Sequence, residues 1–310
     1  MEGNIAVLKK KSRIRKHIPI YLLALPGVVY MLINNYIPMV GIIIAFKNVN
    51  FRKGIFGSDW AGLSNFEYLF KTPDAFNMTR NTILYNMAFI IVNNVTAIMI
   101  ALLLSRIKGK RKLKAYQTFV LVPSLISIVI VSYLSYAFLN GQTGLINSIR
   151  TGLGQSTISF YTEPKYWPAI LIFINFWKGA GYSSIVYLAS ILSIDTELYD
   201  AASIDGANRW KSVRYITLPL LKPTVITLVL MSVGRIFYSD FGLFYQVPQN
   251  SGALIDVTTT IDTYVYRALI NNGDIGMSAA ACVYQSLVGF ILVMIVNAIT
   301  RKYSEENALF

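Results

Sequence analysis

Six long apolar runs limit what this chain can become. They lie at roughly residues 18–46, 79–105, 113–139, 168–192, 219–244 and 279–300. Each is long enough to cross a hydrocarbon core as a helix, which takes about 20 residues. In that solvent every backbone amide must find its partner within the segment, so the runs must be helices. Composition agrees: 55% of the 310 residues are hydrophobic and 14% are charged, against about 25% charged in soluble domains. The expected fold is an all-α polytopic membrane protein with six transmembrane helices. Its membrane domain spans 18–303, between a basic tail at 1–17 and a short C-terminal tail at 304–310.

The cations set an orientation, because cytoplasmic loops carry the excess of Lys and Arg. Eighteen of the 28 lie in the tail holding Lys9 to Lys16, in loop 106–114, between Arg209 and Lys222, and at Arg301 and Lys302. Eight lie in the opposite loops. Both termini are therefore expected in the cytoplasm, and so is the segment between spans four and five. The net charge of +13 sits at the ends of apolar runs, which argues for a membrane surface and against nucleic acid. No cleavable signal peptide is expected, since the first apolar stretch is too long and no small-residue cleavage site follows.

The chemistry of enzymes is missing. Cys282 is the one cysteine and His17 the one histidine, so no disulfide framework and no Cys-based metal site is expected. No phosphate-binding loop of the Gly-x-x-x-x-Gly-Lys-Ser/Thr type occurs, and no His-Glu-x-x-His or Gly-x-Ser-x-Gly. Any energy must come from another chain.

One polar segment interrupts the apolar pattern, Asp200 to Pro219. Asp195 or Thr196 can cap a helix ahead of it, and Leu198, Ala201 and Ala202 share a helical face. Gly206 can end that helix in the left-handed conformation. A second amphipathic turn follows, with Trp210, Val213 and Ile216 or Thr217 on one side. Pro219 suits the start of the next helix, where its missing amide hydrogen is not needed. Helix, turn and helix with small residues at the corner form a surface that another protein can approach closely.

The spacing Asp200, Ala201, Ala202, Gly206, Ile216, Leu218, Pro219 resembles the "EAA" motif of permease subunits of binding-protein-dependent ABC importers. Asp stands where that motif has Glu, which keeps the charge. The resemblance implies cytoplasmic coupling helices between spans four and five, with 196–219 docked on a separate ATPase that holds ATP and Mg. This chain would carry no cofactor itself. It also implies an ATPase dimer, a second homologous permease subunit, an extracytoplasmic solute-binding protein and a bacterial plasma membrane. Trp60 to Phe66 resembles a segment common in sugar-importer permeases, and Phe241 to Tyr245, Thr263 to Arg267, Gln285 to Phe290 and the C-terminal Asn307 to Phe310 resemble Lpl-type permeases of the carbohydrate-uptake class. They imply import of an oligosaccharide or polysaccharide fragment. The alternatives are a permease for another polar solute, such as a polyol, glycerol phosphate or peptide, or an ion-coupled secondary transporter.

Two cations lie within spans, Lys178 and Arg235. A cation at mid-membrane costs about 2.5–3.5 kcal/mol on insertion scales, so it should face the bundle interior or a wet cavity. Asn175, Trp177, Tyr182, Tyr238 and Asp240 lie near them in sequence, and Tyr133, Tyr136, Tyr284 and Gln285 come from other spans. Aromatic faces with hydrogen-bonding groups suit a glycan, so Asn175, Lys178, Tyr182, Arg235 and Tyr238 are the candidate solute path. An Arg235–Asp240 pair is the structural alternative. Gly179, Gly181, Gly234 and Gly289 are candidates for close helix contact with a partner permease. Gly141–Gly154 should form a short amphipathic helix on the outer surface.

Overall fold

The computed structural model describes residues 2–303, with side chains from His17 onward. The basic side chains before His17 and the 304–310 tail lie outside the described residues. Five helices are long and apolar enough to cross a membrane: His17–Phe46, Pro73–Leu104, Pro164–Leu192, Arg209–Val233 and Ile275–Lys302. A bent pair, Lys110–Leu125 and Ile128–Leu139, makes a sixth candidate if its two halves count as one span. Taking that pair as one span, we number the crossings one to six in chain order. The one sheet among the described residues joins two residues to two, Lys47–Asn48 with Asp59–Trp60.

Spans two and four form the central pair. At one end they are zipped by small residues against large ones: Ala97 and Ala101 face Tyr187 and Leu188. At the other end Tyr85, Phe89, Trp167 and Leu171 close over Phe244, which arrives from beyond span five. A third cluster joins Met78 of span two to Phe237, Ile261 and Ala281. Span one stands apart, with 6% of its best apolar window buried. It touches the bundle through its last turns, Val40–Phe46, which pack on span six.

The third apolar run is not the straight crossing expected from its length. It bends by 88° at Ile126 and Ser127, where the backbone turns extended. Pro123 lies inside the first half and weakens the hydrogen-bond ladder there. Ser127 caps the second half by accepting from the Val129 amide. The first half packs tightly on span four. A Cβ added at Gly181 would stand 2.1 Å from the Val120 carbonyl oxygen, so only glycine fits that crossing.

The loop after span one is built around Lys47, which is 4% exposed. Its ammonium donates to the carbonyls of Phe56 (2.6 Å) and Ser58 (3.1 Å). Asn65, from the Trp60–Phe66 string, donates to the carbonyls of Ala45 and Lys47. The amphipathic helix expected within Gly141–Gly154 is present as Leu145–Gly152. Its buried Asn147 ties it to Asn140, Gly141 and Ile158.

Candidate functional site

Two regions are the candidates, and one helix joins them. The first is the polar segment after span four. Asp195 caps the helix Thr196–Ile204 by accepting from the Glu197 amide. Gly206, at φ +74°, ends it with two reversed bonds: Gly206 N–H to Ser203 C=O and Ala207 N–H to Ala202 C=O. That is the Schellman pattern, which requires a residue at ease in left-handed space. Asn208 then caps the next helix by accepting from the Lys211 amide.

Here two expectations need correction. No new helix starts at Pro219: one helix runs from Arg209 through Val233. A π turn at Val213–Thr217 lies within it, two residues before Pro219. The widened turn gives the proline ring room where the carbonyl of Tyr215 would otherwise meet it. The π turn also shifts the faces. Val213 and Thr217 are buried, but Trp210 is exposed, so they do not share one side. The Tyr199 hydroxyl meets Thr217 Oγ1 at 3.0 Å and braces the short helix against this turn.

What remains outward is apolar. Ile204 is 87% exposed, Trp210 67% and Tyr215 69%, on a segment whose Asp200, Ala201 and Gly206 are also exposed. Large apolar groups rimmed by charge mark a protein contact surface. Ala202 and Ile216 are half-buried and Leu218 and Pro219 exposed, so the motif turns part of its length inward to hold the shape.

The second region begins where the helix ends. The fifth apolar run does not stay helical to residue 244: its helix stops at Val233 and the chain is unwound to Asp240. From Leu218 to Val233 a helix rises roughly 24 Å, so this unwound stretch lies deep toward the other membrane face. Its polar backbone groups are met by side chains. Asn86 of span two donates to the carbonyls of Ile236 (2.9 Å) and Tyr238 (3.2 Å). Gln285 of span six donates to Phe237 C=O at 2.7 Å. Asp262 accepts from the Ser239 amide and hydroxyl, each at 2.7 Å, and from Gln285 at 3.2 Å. Irregular backbone at membrane depth is tolerated only when satisfied in this way, and it commonly lines a wet cavity.

Beyond it stands an aromatic group. Phe241 and Tyr245 stack at 4.9 Å, and Tyr266 meets them at 4.8 and 5.0 Å. All three rings are half-buried. Arg267 approaches Tyr245 (5.8 Å) and donates to Asn250 and Thr259. Burial pulls its pKa below the usual arginine value, though a guanidinium stays charged.

The five path candidates divide. Asn175 is held by Asn93, whose amide donates to its Oδ1 at 2.8 Å. Lys178 is not free: its ammonium donates to Ile126 C=O at 2.6 Å, at the bend of span three. Tyr182, Arg235 and Tyr238 are exposed. Arg235 and Asp240 form no ion pair among the described residues. The helix they would share has already ended, and Asp240 accepts from the Leu243 amide instead. Tyr284 meets Thr79 (3.1 Å) and Tyr136 packs on Tyr161. The glycines also serve this chain itself: Gly179 faces Asn93, Gly181 faces Val120 and Gly289 faces Phe237. Asn86 and Asp262 were not among the path candidates; the signal for Asn86 was an amide in an apolar run.

The chain is similar along nearly its whole length to known permeases. It is 35% identical over 307 residues to the polygalacturonan/rhamnogalacturonan transport system permease protein YteP of Bacillus subtilis (strain 168), covering 97% of this chain and 95% of that one. It is 32% identical over 288 residues to protein LplB of the same organism, covering 93% and 90%. Among solved structures it resembles a chain of a bacterial ABC transporter involved in the import of the acidic polysaccharide alginate, with TM-score 0.86 and 31% identity over 96% of this chain and 99% of that one. Residues 95–305 match the family described as binding-protein-dependent transport system inner membrane component, and this chain, a polytopic all-α permease, belongs to that family.

Proposed function

We propose that this chain is one permease half of an ABC importer that carries an oligosaccharide into a bacterial cell. The Asp200–Pro219 segment carries this reading: it keeps every spacing of the coupling motif and holds Ile204, Trp210 and Tyr215 outward. Asp200, Ala201, Ala202 and Gly206 form the docking corner, and Ile216, Leu218 and Pro219 join it to span five. ATP and Mg belong to a separate ATPase dimer. The cation asymmetry supports a cytoplasmic position for this segment and both termini.

The substrate class is supported by similar proteins whose descriptions specify polygalacturonan, rhamnogalacturonan and the acidic polysaccharide alginate. It is also supported by the aromatic group beside the unwound stretch, since sugar rings stack on aromatic faces. One related structure is a complex with an alginate pentasaccharide-bound periplasmic protein; a delivering protein of that kind would meet the outer loops here. Of the path candidates, Tyr182, Arg235 and Tyr238 would meet solute. Asn175 and Lys178 would position spans two, three and four. A second, similar permease would complete the path.

The test is purification of this chain from its native membrane, followed by uptake of labelled oligosaccharides in proteoliposomes. A stoichiometric ATPase and ATP-dependent glycan uptake are expected. Purification without any ATPase would refute the permease reading. ATP-dependent uptake of a peptide or polyol and of no glycan would refute the substrate class alone.

A further inference from the structure

A cavity of about 540 Å³ opens behind the coupling segment, between the ends of spans two and four and the start of span five. Three cations reach its lining: Arg106, Lys108 and Arg209. No Asp or Glu lines it, and none of the three cations makes an ion pair or side-chain hydrogen bond among the described residues. The deeper wall is apolar, formed by Leu102, Ile191 and Leu192 at the ends of two membrane spans. Hydroxyls of Tyr199, Ser212 and Thr217 complete the lining on the coupling side. Cations at the rim with spans behind them match an amphiphile whose anionic head lies at the membrane surface and whose chains run along the bundle.

We propose that this cavity binds the phosphate headgroup of an anionic phospholipid. The phosphate sits among Arg106, Lys108 and Arg209, and the acyl chains follow Leu102 and Leu192 outward. Guanidinium and ammonium groups give charge-assisted bonds to phosphate. The bound headgroup adds a tie between loop 105–108, the end of span four and the start of the helix at Arg209, all of which line the cavity. The lipid thereby sets the angle at which the coupling segment is presented. This site stands on the cavity and its charges, and does not depend on which solute is carried.

The experiment is native mass spectrometry of the full chain with its co-purifying subunits, in neutral detergent with added phosphatidylglycerol. The triple variant R106Q/K108Q/R209Q is compared with K110Q/R111Q/K112Q, which removes the same charge outside the cavity. Wild type and the outside variant should retain a phosphatidylglycerol adduct against excess phosphatidylcholine. The cavity variant should bind it roughly 100-fold more weakly, as expected for three phosphate-facing cations. R106Q and K108Q singly lie outside the coupling helix and give intermediate losses if the triple variant does not assemble. The swap R106K/K108R keeps the charge and should keep the adduct. Equal adducts in the cavity and outside variants would overturn the proposal. So would displacement of the lipid by inorganic phosphate, which marks a free-anion site. Binding seen only after the ATPase is stripped away would assign the cavity to an acidic group of that partner.

Discussion

Gly206 offers the sharpest test of the coupling segment, because the cost of replacing it can be isolated. Its φ is +74° and an added Cβ would meet nothing within 4 Å. A substitution there is therefore paid in backbone conformation alone. An ordinary L-residue in that region loses about 1–2 kcal/mol; Asn is better tolerated, and a β-branched residue is worst. About 1.4 kcal/mol is a factor of ten in the population of the turn. We expect Gly206→Asn to keep most transport-coupled ATP hydrolysis and Gly206→Ala to lose roughly five- to thirtyfold in turn population. Gly206→Val should lose nearly all coupling. Membrane levels should stay equal in all three, since the site is at the surface. The assay is substrate-stimulated ATP hydrolysis in proteoliposomes, normalised to permease content. If Asn, Ala and Val variants behave alike, the turn does not need left-handed backbone and the argument fails. If Val retains full coupling, the segment does not dock.

Four further outcomes follow from the bundle. Lys178→Met should still insert, because it removes a mid-span cation, but it leaves the Ile126 carbonyl without its donor. The purified complex should lose about 1–3 kcal/mol, and an unchanged melting temperature would contradict this. Asp262→Ala removes the acceptor of three hydrogen bonds to Ser239 and Gln285; amide exchange at Ser239 should speed up roughly tenfold or more, and unaltered exchange would show the stretch is held otherwise. Gly181→Leu should collapse membrane levels, given the 2.1 Å approach to Val120; normal levels would mean spans three and four can separate. Tyr245→Ala and Tyr266→Ala should each raise KM for oligosaccharide uptake about fivefold, a ring contact of about 1 kcal/mol, and an unchanged KM would remove the aromatic group from the path.

The spans were legible because hydrocarbon solvent leaves a chain few choices, so length and hydropathy alone found the five long helices and the bent pair. The coupling segment was legible for a different reason: Gly206 and the caps Asp195 and Asn208 act through local backbone chemistry that spacing reveals. Pro219 misled, since a proline at a helix start and a proline after a π turn read alike in sequence. The bend at Ile126 and the unwinding after Val233 were hidden inside continuous apolar runs. Both are stabilised by residues far away, Lys178 in one case and Asn86, Gln285 and Asp262 in the other. Among the mid-span polar residues, Lys178 meets a backbone carbonyl that no side-chain inventory contains and Asn175 meets Asn93, whereas Tyr182, Arg235 and Tyr238 are exposed.

The helix Arg209–Val233, although it carries a π turn at Val213–Thr217 and Pro223, makes the two candidate regions ends of one continuous element. Its 25 residues measure roughly 37 Å, so a tilt of about 10° imposed at one end moves the other by about 6 Å. That exceeds the width of a water molecule and approaches that of a sugar ring. No relay of loosened side chains is needed between the two ends. The carbonyls of Ile236, Phe237 and Tyr238 are held by spans two and six, so under the proposed coupling a stroke that rocked Trp210 would strain or release those bonds.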